Sequence, residues 1–280
     1  MRVIRKAIIP VAGLGTRLLP ISSAVPKALL PLVLADGRVR PVVHLICAES
    51  AAAGVEQIAL VVMPGQEELF GRYFAAARQA GDRDVPARIE CVPAEPKGFG
   101  FAVAQGRRFV GREPFLVLLG DHVHLAEPGR PCCAAQVAAA FARRGGAAMI
   151  GMQTVGPDQL HLVGAARGQD LGEGVYRCTD FVEKPTVQTA RRTLRTAGLA
   201  DDEFLAHCGI YAFSAEIFDC LAAVAADLPN GKELQLADAQ SLLLKRHPDD
   251  YYLLRVAGRA LDTGTPQCYA QTLKALAGWR

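Results

Sequence analysis

Short apolar runs rich in Val and Ile alternate with longer segments in which apolar residues recur every three or four positions, and these two periods partition the first half of the chain. Strands are predicted over residues 7–11, 57–63, 89–92, 115–119 and 147–153, with helices between them over 42–53, 67–80, 99–110 and 134–144. Phe115-Leu116-Val117-Leu118-Leu119 has no polar position, so both of its faces must be covered. That is the demand of a parallel sheet with helices on either side. Beyond about residue 155 the pattern loosens. Residues 176–183 and 210–213 read as strands, 215–226 and 234–245 as helices, and 251–256 as a last strand. The expected fold is α/β, a Rossmann-like doubly wound mixed sheet followed by an α+β half. No repeat or low-complexity linker interrupts the chain, so residues 1–280 are expected to form one domain whose halves, 1–155 and 156–280, meet near residue 155.

Composition narrows the function classes. With 51% hydrophobic and 21% charged residues the chain is globular rather than disordered. Its longest uncharged stretch, residues 145–157, is well short of the ~18 residues that span a bilayer. The charged N-terminus runs into Pro10 without an apolar signal region, so secretion and a membrane partner are not expected. Net charge is +3 and no Lys/Arg run exceeds two residues, which argues against a nucleic-acid partner. The eight cysteines include no Cys-x-x-Cys and no zinc-ligand spacing, and read as reduced thiols of a cytoplasmic protein. A homo-oligomer stays open. Only seven of the 31 basic residues are lysines, so each lysine carries more information than usual.

The strongest local signal is Pro10-Val11-Ala12-Gly13-Leu14-Gly15-Thr16-Arg17, a glycine loop at the end of the first strand, where open α/β sheets bind ligands. Gly13 and Gly15 let backbone N–H groups approach a polyphosphate, Thr16 adds a hydroxyl, and Arg17 offers a planar fork for phosphate oxygens. A dinucleotide fingerprint would need a small residue at Leu18, and a Walker A loop would need Lys after Gly15. Lys27, pinned between Pro26 and Pro31, supplies a second cation. The 115–119 strand delivers Asp121 to the same sheet edge, where a Mg²⁺ ligand belongs, and Asp262 in Leu261-Asp262-Thr263-Gly264 offers a second carboxylate. His122 and His124, with no further His or Cys cluster, read as ordinary strand or loop residues.

On these motifs the chain resembles the nucleotidyltransferases that join a nucleoside triphosphate to a sugar 1-phosphate and release pyrophosphate. Gly13-Leu14-Gly15-Thr16-Arg17 and Pro26-Lys27 match the family's entry motif. Glu183-Lys184-Pro185, Glu233-Leu234-Gln235-Leu236-Ala237-Asp238 and Asp262-Thr263-Gly264 extend the likeness along the chain. The bacterial glucose-1-phosphate uridylyltransferases look most similar. The resemblance implies that Ala12, Gly13, Gly15, Thr16 and Gly98 line the nucleotide, and that Arg17, Lys27 and Lys184 neutralise phosphates. It further implies that Gly164, Glu183 and Gly209 line the sugar, and that Asp121 and Asp262 hold Mg²⁺. UTP and glucose 1-phosphate are the expected substrates. Three positions depart from the pattern: Pro93 stands where pyrimidine-reading members carry Gln, His207 where an Asn often precedes the sugar-pocket glycine, and Ala28 where close uridylyltransferases carry Glu after Pro-Lys; the Asp262 motif reads more like the thymidylyl and guanylyl branches. Base reading would then fall to backbone groups around Ala12, Gly13 and Gly98. dTTP or GTP, mannose 1-phosphate, or a non-catalytic nucleotide-sugar-binding homologue remain alternatives. The left-handed β-helix of bifunctional relatives is not expected.

Overall fold

Apolar residues alternate between two faces in the central strands, and that alternation builds the layers. The structure, a computed structural model, describes residues 3–86 and 88–278. Met1, Arg2 and Arg280, on which part of the expectation about the chain's ends rests, lie outside the described residues. The strands are β1 (Lys6–Pro10), β2 (Pro31–Val33), β3 (Val39–Pro41), β4 (Gln57–Val62), β5 (Arg88–Pro93), β6 (Phe115–Leu118), β7 (His122–Ala126), β8 (Ala148–Val155), β9 (Ala165–Asp170), β10 (Val175–Val182), β11 (Phe204–Phe213), β12 (Tyr251–Arg255) and β13 (Gly258–Asp262). The helices are α1 (Val42–Ala52), α2 (Glu67–Gln79), α3 (Phe99–Gln105), α4 (Arg107–Val110), α5 (Cys133–Arg144), α6 (Val187–Thr193), α7 (Ile217–Ala226), α8 (Leu236–Arg246) and α9 (Pro266–Ala277).

Among the described residues nine strands form one sheet in the order β5-β4-β1-β6-β11-β8-β12-β10-β9. β5, β4, β1 and β6 are parallel; β11 runs against both β6 and β8. Ala7, Ile9, Leu116 and Leu118 point to one core with α1, α2 and α5, while Ile8, Phe115 and Val117 point to the other with α3, α7 and α8. This is the period-two pattern of strands buried on both faces. Each fully buried Leu, Ile or Phe contributes about 1.5–3 kcal/mol.

The second half departs from its expected outline where pairing is non-local. The predicted 210–213 strand is the ten-residue β11, whose register breaks between His207 and Tyr211 around Gly209 at φ +85°. Gly209 O accepts from Leu119 N at 2.9 Å, and a Cβ at Gly209 would stand 2.9 Å from Leu119 Cδ1, so only glycine lets β11 turn against the end of β6. Beyond that bend β11 also pairs with β9, and the contacts β11–β8–β12–β10–β9–β11 close into a ring. The predicted 99–110 helix is broken at Gly106, which packs directly on Ile8. The 234–245 helix starts only at Leu236, because Leu234 is hydrogen-bonded to the 97–101 segment. The last strand is β13, not β12; β2, β3, β7, β9, α6 and α9 are further elements outside the predicted set. No helix among the described residues is long and apolar enough to cross a membrane.

Candidate active site

β1, β4, β5 and β6 all end at one sheet edge, and the chemistry-bearing residues follow those ends. Val11 N donates to Val61 O at 2.7 Å, holding the loop beyond β1 in line with β4. Gly15 adopts the left-handed conformation (φ 63°, ψ 30°) and opens a single helical turn, Thr16–Leu18. Lys27 starts another such turn, Lys27–Leu29, and its stem folds back over the glycines. A Cβ on Gly13 would stand 3.5 Å from Lys27 Cε, and one on Gly15 3.5 Å from Lys27 Cβ. The glycines therefore leave room for the lysine as well as for a ligand.

Lys27 Nζ reaches Asp121 Oδ2 at 2.6 Å. Asp121 follows Gly120, where a side chain would collide with Pro10 O, so glycine allows the end of β6 to close on β1. His122 Nδ1 donates to Asp121 Oδ1 at 2.9 Å. β13 returns antiparallel to β7 with Asp262 opposite His122. Thr263 then locks the pair of strand ends, since its N and Oγ1 both donate to Asp121 O at 2.9 Å. A Cβ on Gly264 would stand 3.0 Å from Asp262 Oδ1, 3.3 Å from an Arg17 guanidinium nitrogen and 3.4 Å from Asp121 Oδ2. Arg17, Lys27, Asp121 and Asp262 thus converge, and ligand atoms of Asp121, His122 and Asp262 all lie within 4.8 Å of one another, close enough to share one cation.

Burial alone would raise the Asp121 carboxyl, but the hydrogen bond and charge of His122 and the Lys27 ammonium outweigh it and hold the group well below the usual carboxylate range. Burial likewise opposes charge on His122, yet Asp121 and then Asp262 raise the imidazole above its ordinary value. A second cation-sized group, His44, Asp82 and Asp84, lies away from the strand ends, and there Asp82 is paired with Arg40 at 2.6 Å.

Beside the cluster is a cavity of about 320 Å³, with Ala12, Gly13, Gly15, Thr16, Lys27, Gly98 and Asp121 on its wall. Gly98 sits at φ +106° against Leu234, whose N donates to Lys97 O at 3.0 Å and whose O accepts from Gly100 N at 2.9 Å. These bonds bring Glu233 of the second half onto the wall. Glu95, Pro96 and Phe99 are also on it, whereas Pro93 is exposed at the end of β5 and is not on the wall. Arg17, Gly164, Glu183, Lys184, Gly209 and Asp262 also stand outside this cavity.

A second group of expected residues gathers around Gly164. A Cβ there would stand 2.7 Å from Glu183 Oε2 and 3.2 Å from His207 Nδ1, and His207 N donates to Gly164 O at 2.8 Å. Lys184 N donates to Val163 O at 3.2 Å, and Lys184 itself holds φ +47°, an uncommon conformation for a residue with a side chain. His207 packs between Phe181 and Tyr211, each ring centroid 5.7 Å away, and burial pushes its imidazole down to about 4. Burial raises the Tyr211 hydroxyl, and the charges of Glu183 and Asp121 add to that shift. His122, Glu95, Glu233 and Thr263 were not singled out from sequence as part of the site. For His122 the signal was its place directly after Asp121.

Three comparisons bear on this arrangement. The family described as Nucleotidyl transferase matches residues 6–277. A UTP--glucose-1-phosphate uridylyltransferase of Staphylococcus saprophyticus is 32% identical over 292 aligned positions, covering 97% of this chain and 91% of the relative. One of Bacillus subtilis is 34% identical over 256 positions, covering 85% and 80%. A UDP-glucose pyrophosphorylase solved with UDP-glucose superposes with a TM-score of 0.79 at 26% identity, covering 99% of this chain and all of that one. The chain belongs to the nucleotidyl transferase family.

Proposed function

We propose that this enzyme transfers the UMP group of UTP to glucose 1-phosphate, giving UDP-glucose and pyrophosphate. The observation that carries the reading is the convergence of Arg17, Lys27, Asp121 and Asp262 beside a glycine-lined cavity of about 320 Å³, with Lys27 and Asp121 on its wall. The names of the relatives support UTP and glucose 1-phosphate over the other bases and sugars. In this reading residues 1–155 are the nucleotide half and 156–280 the sugar-phosphate half of one domain. Ala12, Gly13, Gly15, Thr16 and Gly98 seat the nucleotide; Gly164, Glu183 and Gly209 shape the sugar pocket.

A phosphate oxygen of the sugar 1-phosphate attacks the α-phosphorus of UTP in line, the new O–P bond forms, and the bond to the β-phosphate oxygen breaks as pyrophosphate leaves. No general base is needed, because a phosphate monoester is already anionic at neutral pH. The protein's task is positioning and charge compensation. Arg17 and Lys27 meet the triphosphate, and Lys184 meets the sugar phosphate. Asp121 and Asp262 suit a divalent cation: their ligand atoms are within 4.8 Å, and Lys27 pairs with Asp121 through Oδ2 only. Mg²⁺ matches two carboxylates plus substrate phosphates, and when bound it supplies neutralisation of phosphate charge. The reaction is assigned to the cytoplasm, where nucleoside triphosphates are held.

The test is pyrophosphate release from a panel of nucleoside triphosphates and sugar 1-phosphates with a divalent cation. UTP with glucose 1-phosphate should give the highest kcat/KM. Higher turnover with another pair would reassign the base or sugar, and no release from any pair would point to a binding-only homologue.

A further inference from the structure

We propose that His122 is a nitrogen ligand of the divalent cation, and that it gives this site a preference for first-row transition ions such as Mn²⁺ over Mg²⁺ beyond what two carboxylates would give. The inference rests on the reading of Asp121 and Asp262 as cation ligands. It starts from the register of β7 and β13, which sets His122 opposite Asp262 and directly after Asp121, so three donors from two strand ends face one point. Their ligand atoms fit within 4.8 Å.

The spacing of the nearest pair, which is that of their hydrogen bond, is also compatible with a shared cation. Two neighbouring ligands of an octahedral ion, each about 2.1 Å from it, stand roughly 3.0 Å apart. His122 Nδ1 and Asp121 Oδ1 are 2.9 Å apart. A cation seated between Asp121 Oδ1 and His122 Nδ1 would leave Lys27 in place, because the lysine uses the other oxygen, Oδ2. Ligation at Nδ1 would replace the proton that the ring donates to Asp121 Oδ1, leaving the ring proton on Nε2 and a lone pair at Nδ1. His124, two residues along, cannot serve: it is buried, and its Nε2 donates to Cys208 O at 2.7 Å.

Imidazole discriminates between ions in a way that carboxylate does not. Mg²⁺ takes oxygen ligands and keeps its waters, whereas affinity for nitrogen donors rises from Mn²⁺ through Fe²⁺ to Co²⁺. A residue that only oriented Asp121 would support every divalent ion alike. The two roles therefore separate in a ratio of affinities rather than in activity.

The experiment binds Mn²⁺ to the full-length protein without nucleotide, titrated by the loss of the free-ion electron paramagnetic resonance signal, and records pulsed spectra of the bound ion. Wild type should show nitrogen coupling of a directly bound imidazole, altered by ¹⁵N-histidine labelling. His122→Asn should lose that coupling and at least about tenfold in Mn²⁺ affinity, the loss typical even of an orienting partner, while Mg²⁺ affinity by competition changes far less. Bound Mn²⁺ without nitrogen coupling in wild type would overturn the proposal whatever the variant does. Equal weakening of both ions in His122→Asn, with His122→Gln as a second variant, would reduce His122 to a positioning residue. If Mn²⁺ fails to bind wild type, or binds Asp121→Asn and Asp262→Asn unchanged, the carboxylate reading itself falls, a result distinct from the failure of His122 alone.

Discussion

Replacing Gly98 with Ala should destabilise the protein through both its backbone and its surroundings. Gly98 combines two penalties. At φ 106°, ψ 160° its backbone occupies a region that other residues avoid, a strain of about 1–3 kcal/mol. A Cβ there would also collide with Leu234 O and stand 3.0 Å from Glu233 Cβ. Leu234 cannot yield cheaply, because its O accepts from Gly100 N and Phe101 N and its N donates to Lys97 O. Overpacking of this kind costs about 1–3 kcal/mol, so the sum is about 2–6 kcal/mol. For a chain of this size 1 kcal/mol moves Tm by roughly 2–4 °C, and Gly98→Ala should therefore lose at least about 4 °C. Two controls divide the effect. Gly111→Ala, at φ 69°, ψ −119° with nothing within 4 Å, should show backbone strain alone, about 1–3 kcal/mol. Gly100→Ala, a helical position whose Cβ would be 2.7 Å from Gln235 C, should show crowding alone. Thermal and urea unfolding of the three variants is the assay, with KM for UTP measured alongside, since Gly98 and Glu233 share the cavity wall. A Gly98→Ala stability within about 1 kcal/mol of Gly111→Ala would refute the tight seating of residues 97–101 on 233–235.

Asp121→Asn and Asp262→Asn should each abolish turnover while keeping a cooperative thermal transition, because each removes charge but not shape; near-normal pyrophosphate release at saturating cation would contradict the assignment. Lys184→Ala should raise KM for glucose 1-phosphate by about tenfold to a hundredfold and leave KM for UTP nearly unchanged, the worth of a charge-assisted contact once substrate covers it. An effect on UTP alone would place Lys184 on the wrong substrate. His207 makes acid stability testable. Its folded pKa of about 4 lies below the ordinary 6.5, so the unfolded chain takes up the proton first and stability falls as pH drops from about 6.5 towards 4. About 2 kcal/mol should be lost by pH 5 relative to pH 7, and His207→Asn should remove that part of the loss. An unchanged difference between the two pH values in the variant would show that His207 is not held neutral.

The half of the fold built from local βαβ units could be read from the chain, because each strand and helix there declares its own period and its ends fall at glycine or proline. The glycine loop, Lys27 and Asp121 followed from the same local logic. What resisted was pairing over long sequence distances. The antiparallel β7–β13 pair sets His122 opposite Asp262, and nothing in either segment's periodicity names the other as partner. For that reason His122 read as an ordinary strand residue, although the structure sets it inside the charged cluster. Residues 234 and 235 look helical by pattern but precede the helix, because the N and O of Leu234 are committed to residues 97–101. α9 had a start signal, Thr265 followed by Pro266, and the structure uses it: Thr265 Oγ1 accepts from Cys268 N at 3.2 Å. Pro93 marked a departure at the expected base-reading position, yet the cavity wall passes through Glu95, Pro96 and Gly98 instead.

The most direct measurement is a single-turnover reaction of excess enzyme with UTP labelled at the α-phosphate, glucose 1-phosphate and a divalent cation. The account predicts that the label moves into UDP-glucose with one pyrophosphate released for each nucleotide sugar formed, and that it stays in UTP when glucose 1-phosphate is withheld. Label that remains in UTP with both substrates present, or that leaves as UMP without the sugar, would contradict it.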